Sequence, residues 1–280
     1  MAARRYQDYI NQSRLPHMWC PGCGDGTILR AYTEALAELD LAPKDVVTVT
    51  GIGCWGKADD YLATQAFHGT HGRALAFATG IKLANPNLTV VTLMGDGDAV
   101  TIGGNHFIHA ARRNIDLTAI VANNYNYGMT GGQYSATTPL ESKTTTSPNG
   151  SPEPGFDICL LAEAAGANYV ARTTAYHVVA LKNLIKEAIS HKGFSLVEVI
   201  SPCPTYFGRF NGQPSALNML NWLKEHAVPA SKYREMSTEE QAKRFAIGTL
   251  VKKERPDFYT TYRRINSVSQ TAGGERIDGR

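Results

Sequence analysis

The sequence predicts an α/β fold: a doubly wound, mainly parallel sheet with helices on both faces, followed by a mostly helical C-terminal extension. Short apolar, β-branched runs alternate with longer segments of helical periodicity, which is the order typical of a parallel sheet. Several runs lack apolar–polar alternation, as expected for strands buried on both faces. Several also end in Gly, Asp or Asn, which favour loops at the edge of a sheet.

The predicted elements follow one another at short intervals. Strands are predicted at 45–50, 89–94, 117–122, 168–172 and 195–200, and helices at 27–39, 74–84, 97–113, 157–165 and 177–191. A polar segment at 130–156, rich in Thr, Ser, Pro and Gly, is predicted to be a functional or disordered loop. Beyond Pro204 the pattern predicts helices at 217–226 and 237–252, the second opening with a Ser237–Glu240 capping box. We therefore divide the chain into a cofactor-binding domain, 1–205, and a partner-facing extension, 206–280, whose end at 255–280 lacks apolar periodicity.

The composition is that of an ordinary globular protein, with 280 residues, 43% hydrophobic, 19% charged and a formal net charge of +3. The sequence has no apolar run long enough to span a membrane and no signal-peptide pattern, so we expect a cytoplasmic protein. A nearly balanced charge without a long basic block disfavours nucleic acid as a partner.

Two polar loops are predicted to meet at the carboxyl edge of the sheet. Gly95-Asp96-Gly97-Asp98 follows one strand and Asn123-Asn124 follows the next, and a right-handed crossover between them places both loops at one crevice. Asp96, Asn124 and the backbone carbonyl of Asn126 offer the oxygen ligands that Mg²⁺ prefers. The amides of Gly97 and Asp98, which open a helix, suit a diphosphate. The alternative is a polar turn followed by an Asn-rich loop.

The spacing of these loops favours a cofactor site, since 25 residues separate Gly97 from Asn123 (123 − 97 − 1). Another glycine-rich stretch, "GIGCWGK", matches parts of a dinucleotide fingerprint and of a P-loop, but its context argues against both. Ala58 stands where a P-loop needs Ser or Thr, and no acidic residue lies near 70–73, where a dinucleotide site needs one.

Four of the five cysteines are predicted to lie in loops, and the fifth in the core. Cys20 and Cys23 form a C-x-x-C, Cys54 follows the first strand and Cys203 the last. Cys159 stands in an apolar helical pattern and is predicted to pack in the core. The four loop thiols are consistent with a 4Fe-4S cluster or with zinc, whereas disulfides are disfavoured in a cytoplasmic chain.

Together, "CPGCGDG", "GIGC", "HGRALAFATGIKLANP", "GDGDAVTIGGNHFIHAARRN" and "NNYNYGMTGGQ" resemble the thiamine-diphosphate-binding β subunit of 2-oxoacid:ferredoxin oxidoreductases. The resemblance covers about 19–207, and "TGGQYSATTP", "TTTSPNGSPEPGFD" and "CPTYFGR" are most similar to the 2-oxoglutarate branch. It implies a fold of the thiamine diphosphate-binding (diphosphate domain) type.

The resemblance also implies roles for individual residues. Cys20, Cys23, Cys54 and Cys203 would hold a 4Fe-4S cluster, and Asp96, Asn124 and Asn126 would hold Mg²⁺. His71 and Arg73 are the catalytic candidates, and Arg73 or Lys57 is a candidate partner for a substrate carboxylate. Thiamine diphosphate would be bound by Ile52, Gly53, Cys54, Trp55, His71, Gly95, Asp96, Gly97, Asp98, Asn124, Asn126, Gly128, Met129 and Thr130. Trp55 and Gly131 depart from residues common in relatives, so we expect them to affect substrate choice.

The implied reaction is the oxidative decarboxylation of a 2-oxoacid, most similar to that of 2-oxoglutarate to succinyl-CoA, with electrons passing through the cluster to ferredoxin; the reverse carboxylation is an alternative direction. Coenzyme A is the expected co-substrate. The sequence contains no second α/β domain to supply the glutamate that activates the cofactor, so that group is expected from a partner α subunit, alongside ferredoxin-like subunits. The alternatives are a pyruvate-specific subunit, a non-oxidative thiamine diphosphate decarboxylase or synthase, and a zinc-knuckle binding protein.

Overall fold

The computed structural model describes residues 4–272 of the chain, and the side chains of residues 4–267. Within that range the strands form one large sheet and one short hairpin. The strands are β1 Val46–Thr50, β2 Gln65–His68, β3 Thr89–Gly95, β4 Thr118–Asn123, β5 Asn126–Tyr127, β6 Gln133–Tyr134, β7 Tyr169–Thr174, β8 Ser195–Ile200, β9 Ala227–Pro229 and β10 Phe245–Lys252.

The large sheet is parallel except at one edge. Its strand order is β2-β1-β3-β4-β8-β7-β10-β9, and β2 through β7 in that order are parallel neighbours. Strand β10 pairs antiparallel with β7, and β9 pairs parallel with β10. Because β2 lies on one side of β1 while β3 and β4 lie on the other, the winding direction reverses between β1 and β3. Open α/β sheets bind their ligands at the carboxyl edge of such a reversal.

Helices cover both faces of the sheet. They are α1 Asp25–Glu38, α2 Ala74–Ala84, α3 Gly104–Arg113, α4 Ile158–Ala165, α5 Val178–Ser190, α6 Ala216–His226, α7 Ala230–Tyr233, α8 Thr238–Gln241 and α9 Phe258–Ala272. Helices α1 and α5 pack on one face and α2, α3 and α4 on the other. Along β3 the buried side chains alternate between the two cores, with Val91 and Leu93 on one side and Val90 and Met94 on the other. Each helix among the described residues is too short or too polar to span a lipid bilayer.

The predicted fold class is confirmed, and most predicted elements lie within two residues of the observed ones. The predicted helix at 97–113 is divided into a π-helix, Gly97–Ile102, and α3. The π-helix is wider than an α-helix, and it turns the backbone directly after Asp96.

One predicted helix, 237–252, is wrong. The Ser237–Glu240 capping box is present, but it begins only the single turn of α8, and the chain then forms strand β10. This strand covers the open edge of β7, and its Ala246 and Val251 side chains are buried. Pairing with a sheet edge that is distant in the sequence outweighed the local helical pattern. The extension therefore contains strands β9 and β10 beside its helices, and the domain boundary near 205 stays a prediction.

One further expectation needs correction, and another is narrowed to one of its two alternatives. Residues 258–272 of the segment predicted to lack periodicity form helix α9, and 273–280 lie outside the described residues. The loop at 130–156 is ordered, and its side chains Ser135, Thr137, Thr138, Thr144 and Ser147 are buried. Several of these hydroxyls bond to the loops after β3 and β4. The loop therefore supports the carboxyl edge of the sheet.

Candidate active site

The loops after β1, β3 and β4 enclose one cavity at the carboxyl edge of the sheet. Every residue predicted to bind thiamine diphosphate lines this cavity, from Ile52 through Asp96 and Asn124 to Thr130. Tyr127 also lines it and was not predicted, although its position directly after Asn126 could have indicated it. Arg73 is not among the lining residues, and its guanidinium donates instead to the carbonyls of Gly72 and Ile102, at 3.3 Å each. Lys57 pairs with Asp60 at the surface.

Three oxygen ligands converge where the sequence predicts magnesium. One terminal atom of the Asn124 amide lies 2.7 Å from the carbonyl oxygen of Asn126 and 3.2 Å from Oδ1 of Asp96. In an octahedral Mg²⁺ site with bonds of about 2.1 Å, neighbouring ligand oxygens lie about 3.0 Å apart. A bound cation would require the oxygen at this position, whereas the nitrogen at this position can donate to both Asn126 and Asp96. The donor set therefore fits Mg²⁺.

The surroundings of Asp96 suit a carboxylate that binds a cation. Its side chain is 1% exposed, and burial raises its pKa to about 6, against the lowering effect of the Ser135 and Thr137 hydroxyls. Those hydroxyls donate to Oδ2 at 2.5 and 2.6 Å, which leaves Oδ1 to face Asn124. None of the groups that shift its pKa is cationic, so a bound cation would offset the desolvation of this carboxylate.

The side chain of Asp98 joins three loops. Its Oδ1 accepts hydrogen bonds from the amide of Gly72 at 2.6 Å, the amide of Ile52 at 3.3 Å and Nδ1 of His71 at 2.5 Å. A Cβ on Gly51 would lie 1.9 Å from this carboxylate, so only glycine permits the approach. A carboxylate accepts but does not donate hydrogen bonds, so of Asp98 only the backbone amide suits a diphosphate. Asp98 also holds His71, whose ring meets Tyr127 edge-on at 5.8 Å.

The four loop cysteines line a second cavity, of about 210 Å³, together with Met18, Trp19 and Tyr206. All four are free thiols. The indole N–H of Trp19 donates to the carbonyl of Cys54 at 2.6 Å and so fixes that loop. Trp55 is 1% exposed, and its N–H donates to the carbonyl of Ile120, so its ring is anchored in the core.

The spacing of these thiols can be compared with the spacing that each candidate metal centre needs. Among the described residues, no three of the four sulfurs lie within 4.8 Å of one another. A tetrahedral zinc with Zn–S bonds of about 2.3 Å needs sulfurs about 3.8 Å apart. A 4Fe-4S cluster spaces its thiolates more widely, because each thiolate binds a different iron. Burial raises the pKa of Cys54 to about 12 and also raises those of Cys23 and Cys203, so binding has to displace their protons.

The two cavities share a wall formed by Cys54, Asn124, Gly128 and Met129. A Cβ on Gly128 would lie 3.5 Å from Sγ of Cys54 and 3.7 Å from the Asn124 amide, so little more than backbone separates the two sites there. The sequence predicted residues on both sides of this wall, and the tertiary structure places them together.

Cys159 is buried, in agreement with its predicted place in the core, but its surroundings are polar. Its thiol lies 3.1 Å from Oε2 of Glu198, and Arg172 bonds the same carboxylate at 2.6 Å. Asp157, Cys159 and Glu198 present their ligand atoms within 4.8 Å of one another. The Arg172 guanidinium already pairs with both carboxylates, so this group is better described as an ion pair than as a metal site.

Comparison with known proteins agrees with this geometry. A family model described as the thiamine pyrophosphate enzyme, C-terminal TPP binding domain, matches residues 48–199. The 2-oxoglutarate synthase subunit KorB of Methanocaldococcus jannaschii is 49% identical over 250 residues, covering 89% of this chain and 93% of that protein. The 2-oxoacid:ferredoxin oxidoreductase subunit beta of Saccharolobus solfataricus is 50% identical over 190 residues, covering 67% and 62%.

A solved structure is also similar over nearly the whole chain. It is the 2-oxoglutarate:ferredoxin oxidoreductase from Magnetococcus marinus with 2-oxoglutarate, coenzyme A and succinyl-CoA bound. The TM-score is 0.85 at 31% identity, and the match covers 99% of this chain and 94% of that chain. The chain therefore belongs to the β subunits of the 2-oxoacid:ferredoxin oxidoreductases, and residues 48–199 form its thiamine diphosphate-binding domain.

Proposed function

We propose that this chain is the catalytic β subunit of a CoA-acylating oxidoreductase that decarboxylates 2-oxoglutarate. Thiamine diphosphate and Mg²⁺ occupy the cavity around Asp96, and a 4Fe-4S cluster is held by Cys20, Cys23, Cys54 and Cys203. Electrons leave through the cluster to ferredoxin. The choice of substrate rests on the relatives named as 2-oxoglutarate enzymes.

The observation that carries this proposal is the wall shared by the cofactor cavity and the cysteine cavity. A non-oxidative decarboxylase or synthase has no use for four free thiols beside its cofactor. An oxidative enzyme needs an electron acceptor close to the reacting carbon, and Gly128 keeps the separation small. The closeness of Gly128 to Sγ of Cys54 therefore favours the oxidative reaction.

The chain's own residues position the cofactor. Asp96, Asn124 and the carbonyl of Asn126 would hold Mg²⁺, and the amides of Gly97 and Asp98 would receive the diphosphate. A Cβ on Gly97 would lie 2.3 Å from the Tyr127 ring, so glycine is needed where these loops meet. Thiamine diphosphate, when bound, supplies the carbanion chemistry of decarboxylation.

His71 is the residue best placed to move a proton. With Nδ1 held by Asp98 at 2.5 Å, the other ring nitrogen is left for a ligand in the cavity that His71 lines. The buried carboxylate fixes the orientation of the ring, as in other carboxylate–histidine pairs. His71 is therefore the proposed catalytic residue, and Asp98 is its positioning partner.

Other parts of the reaction are assigned to partner subunits. The cofactor cavity encloses about 80 Å³, whereas sites for small molecules usually enclose about 300–1,000 Å³. In the described part of the chain, no glutamate, lysine or arginine lines it. We assign to an α subunit both the glutamate that activates the cofactor and the cations that bind the substrate carboxylates, so the isolated chain should be inactive until that subunit is added.

The test is anaerobic purification of the complete oxidoreductase, followed by iron, sulfide, zinc and thiamine diphosphate analysis. Wild type should contain about four irons and four sulfides for each β subunit. Cys203→Ala should lose iron and sulfide but keep thiamine diphosphate. Cys159→Ala is the control, because it removes a thiol that lies outside the cysteine cavity, and it should keep both.

Other results would reject parts of this proposal. Zinc in place of iron would contradict the cluster, and an iron content unchanged in Cys203→Ala would contradict its ligand set. Initial rates with 2-oxoglutarate and pyruvate separate the two substrate assignments, and a higher kcat/KM for pyruvate would reject ours.

A further inference from the structure

Glu198 is a buried carboxylate at the middle of β8 that none of the proposed cofactor contacts uses. It is 2% exposed, and it lies between helix α4 and the loop after β4. Its Oε2 accepts from Nε of Arg172 at 2.6 Å and from the Cys159 thiol at 3.1 Å. Arg172 also bonds Asp157, so the carboxylate of Glu198 is fixed from one side.

The other carboxylate oxygen of Glu198 faces Asn123, the last residue of β4. Oε1 accepts a hydrogen bond from Nδ2 of Asn123 at 2.8 Å. A carboxylate accepts but does not donate, so it determines which way the Asn123 amide faces. Oδ1 of Asn123 is consequently turned towards the amide of Tyr125, from which it accepts at 3.2 Å. Turned the other way, the amide would place an oxygen against Glu198 and a nitrogen against an N–H.

The hydrogen bond from the Tyr125 amide to Oδ1 of Asn123 supports an unusual backbone conformation at Tyr125. Tyr125 has a φ of 64°, a left-handed conformation that is rare for a bulky residue. An asparagine that accepts from the amide two residues later forms an Asx turn, which supports such a bend. The bend places the carbonyl of Asn126 within 2.7 Å of the Asn124 amide, where the magnesium ligands converge.

Asn123 is also linked to Asp96, the third candidate Mg²⁺ ligand, through the loop at 130–156. The hydroxyl of Thr137 lies 3.1 Å from Oδ1 of Asn123 and 2.6 Å from Oδ2 of Asp96. A buried path therefore runs from Glu198 through Asn123 to the carboxylate of Asp96 and to the backbone that carries the carbonyl of Asn126.

We propose that Glu198 is a positioning residue: by orienting the amide of Asn123, it sets the shape of the loop at 124–126, which carries two of the three candidate Mg²⁺ ligands. This inference rests on the magnesium site of the proposed function. Without the carboxylate, the Asn123 amide can turn, the Tyr125 amide loses its acceptor, and the carbonyl of Asn126 is no longer held towards the cation.

The test measures Mg²⁺ binding as well as activity. The complete oxidoreductase is stripped with EDTA, and thiamine diphosphate binding is followed by calorimetry as MgCl₂ is added. Glu198→Gln should raise the half-saturating Mg²⁺ concentration at least about tenfold, the range for groups that orient a metal ligand. Activity should recover in part at high Mg²⁺. Asn123→Ala should give a similar shift, and it carries the test if Glu198→Gln does not fold.

The control variant is Cys159→Ala, which removes the thiol next to Glu198 but leaves the bond to Asn123 intact. It should lower the melting temperature without moving the Mg²⁺ midpoint. A double variant, Glu198→Gln with Asn123→Ala, should shift the midpoint no further than either change alone, because both act on one path.

Two results would overturn the proposal. One is a wild-type Mg²⁺ midpoint in Glu198→Gln, and the other is an equal shift in Cys159→Ala, which would indicate general loosening of the core. A wild-type enzyme whose thiamine diphosphate binding ignores Mg²⁺ would instead overturn the magnesium site itself, and the role of Glu198 with it.

Discussion

The two edges of the parallel sheet carry cavities of opposite character. A cavity of about 280 Å³ at the amino edge, between the starts of β3 and β4, is larger than either cavity at the carboxyl edge. Its buried charge is paired, since Lys82 bonds Asp116 at 2.9 Å and the carbonyl of Leu88 at 2.8 Å. Burial acts to raise the pKa of Asp116, yet Lys82, Gly193 and Lys192 together hold it below its ordinary value.

At the carboxyl edge the acidic groups lack such partners. Asp25 is 1% exposed, and burial raises its pKa to about 7 against the lowering effect of the Cys23 thiol. Among the described residues, Oδ2 of Asp98 has no hydrogen-bond partner, and Asp96 has no cationic side chain among the groups that shift its pKa. Uncompensated buried charge, rather than cavity volume, therefore distinguishes the edge at which we propose that the cofactor binds.

The largest expected effect tests this rule at Asp96. Asp96→Asn should weaken Mg²⁺-dependent thiamine diphosphate binding by more than about 100-fold, since it removes the charge of a direct ligand rather than of a supporting group. Because burial disfavours the charged carboxylate, the cofactor-free variant should be at least as heat-stable as wild type. Calorimetry and a melting curve measure the two effects. Unchanged cofactor binding would place the cation elsewhere.

Asp116→Ala at the amino edge should do the reverse of Asp96→Asn: it should lower stability and leave cofactor binding unchanged. It leaves the ammonium of Lys82 buried without its counter-charge, which should cost about 3 kcal/mol of unfolding free energy. Iron, sulfide and thiamine diphosphate contents should stay at wild-type levels in molecules that fold. Urea unfolding, combined with cofactor analysis, checks both expectations. Loss of cofactor from folded protein would show that the amino edge also contributes to cofactor binding.

Ser135→Ala tests how far a neighbouring hydroxyl supports the carboxylate of Asp96. The variant removes one of the two hydroxyls that hold Oδ2 of Asp96, while Thr137 keeps the other bond. We expect the half-saturating Mg²⁺ concentration to rise by about 10-fold. Ser142→Ala, a partly buried serine in the same loop, is the control. Equal midpoints for the two variants would mean that the hydroxyl does not orient the carboxylate.

The smallest effect is expected from Lys192→Ala at the amino edge. Its side chain is 75% exposed, although its ammonium lies 3.0 Å from Asp116. Exposed ion pairs contribute little, so the unfolding free energy should change by about 0.5 kcal/mol or less. Comparison with Asp116→Ala in the same urea experiment separates buried from exposed pairing. A loss as large as that of Asp116→Ala would contradict the assignment of the pairing to Lys82.

The sequence alone determined strands β1, β3, β4, β7 and β8, the two polar loops and the residues around them. Apolar runs such as 89–94 are local patterns, and a parallel crossover brings the ends of β3 and β4 together, so Asp96 and Asn124 could be placed before the structure was known. The four loop cysteines could be grouped in the same way, although their spacing could not be read.

Only the tertiary structure decided the contacts that join distant parts of the chain. Strand β10 replaced a predicted helix because it pairs with β7, more than 70 residues earlier in the sequence. Ser135 and Thr137 bond to Asp96, and Glu198 bonds to Asn123 across 75 residues. No periodicity encodes such contacts, since they depend on which buried polar groups face each other once the layers have packed.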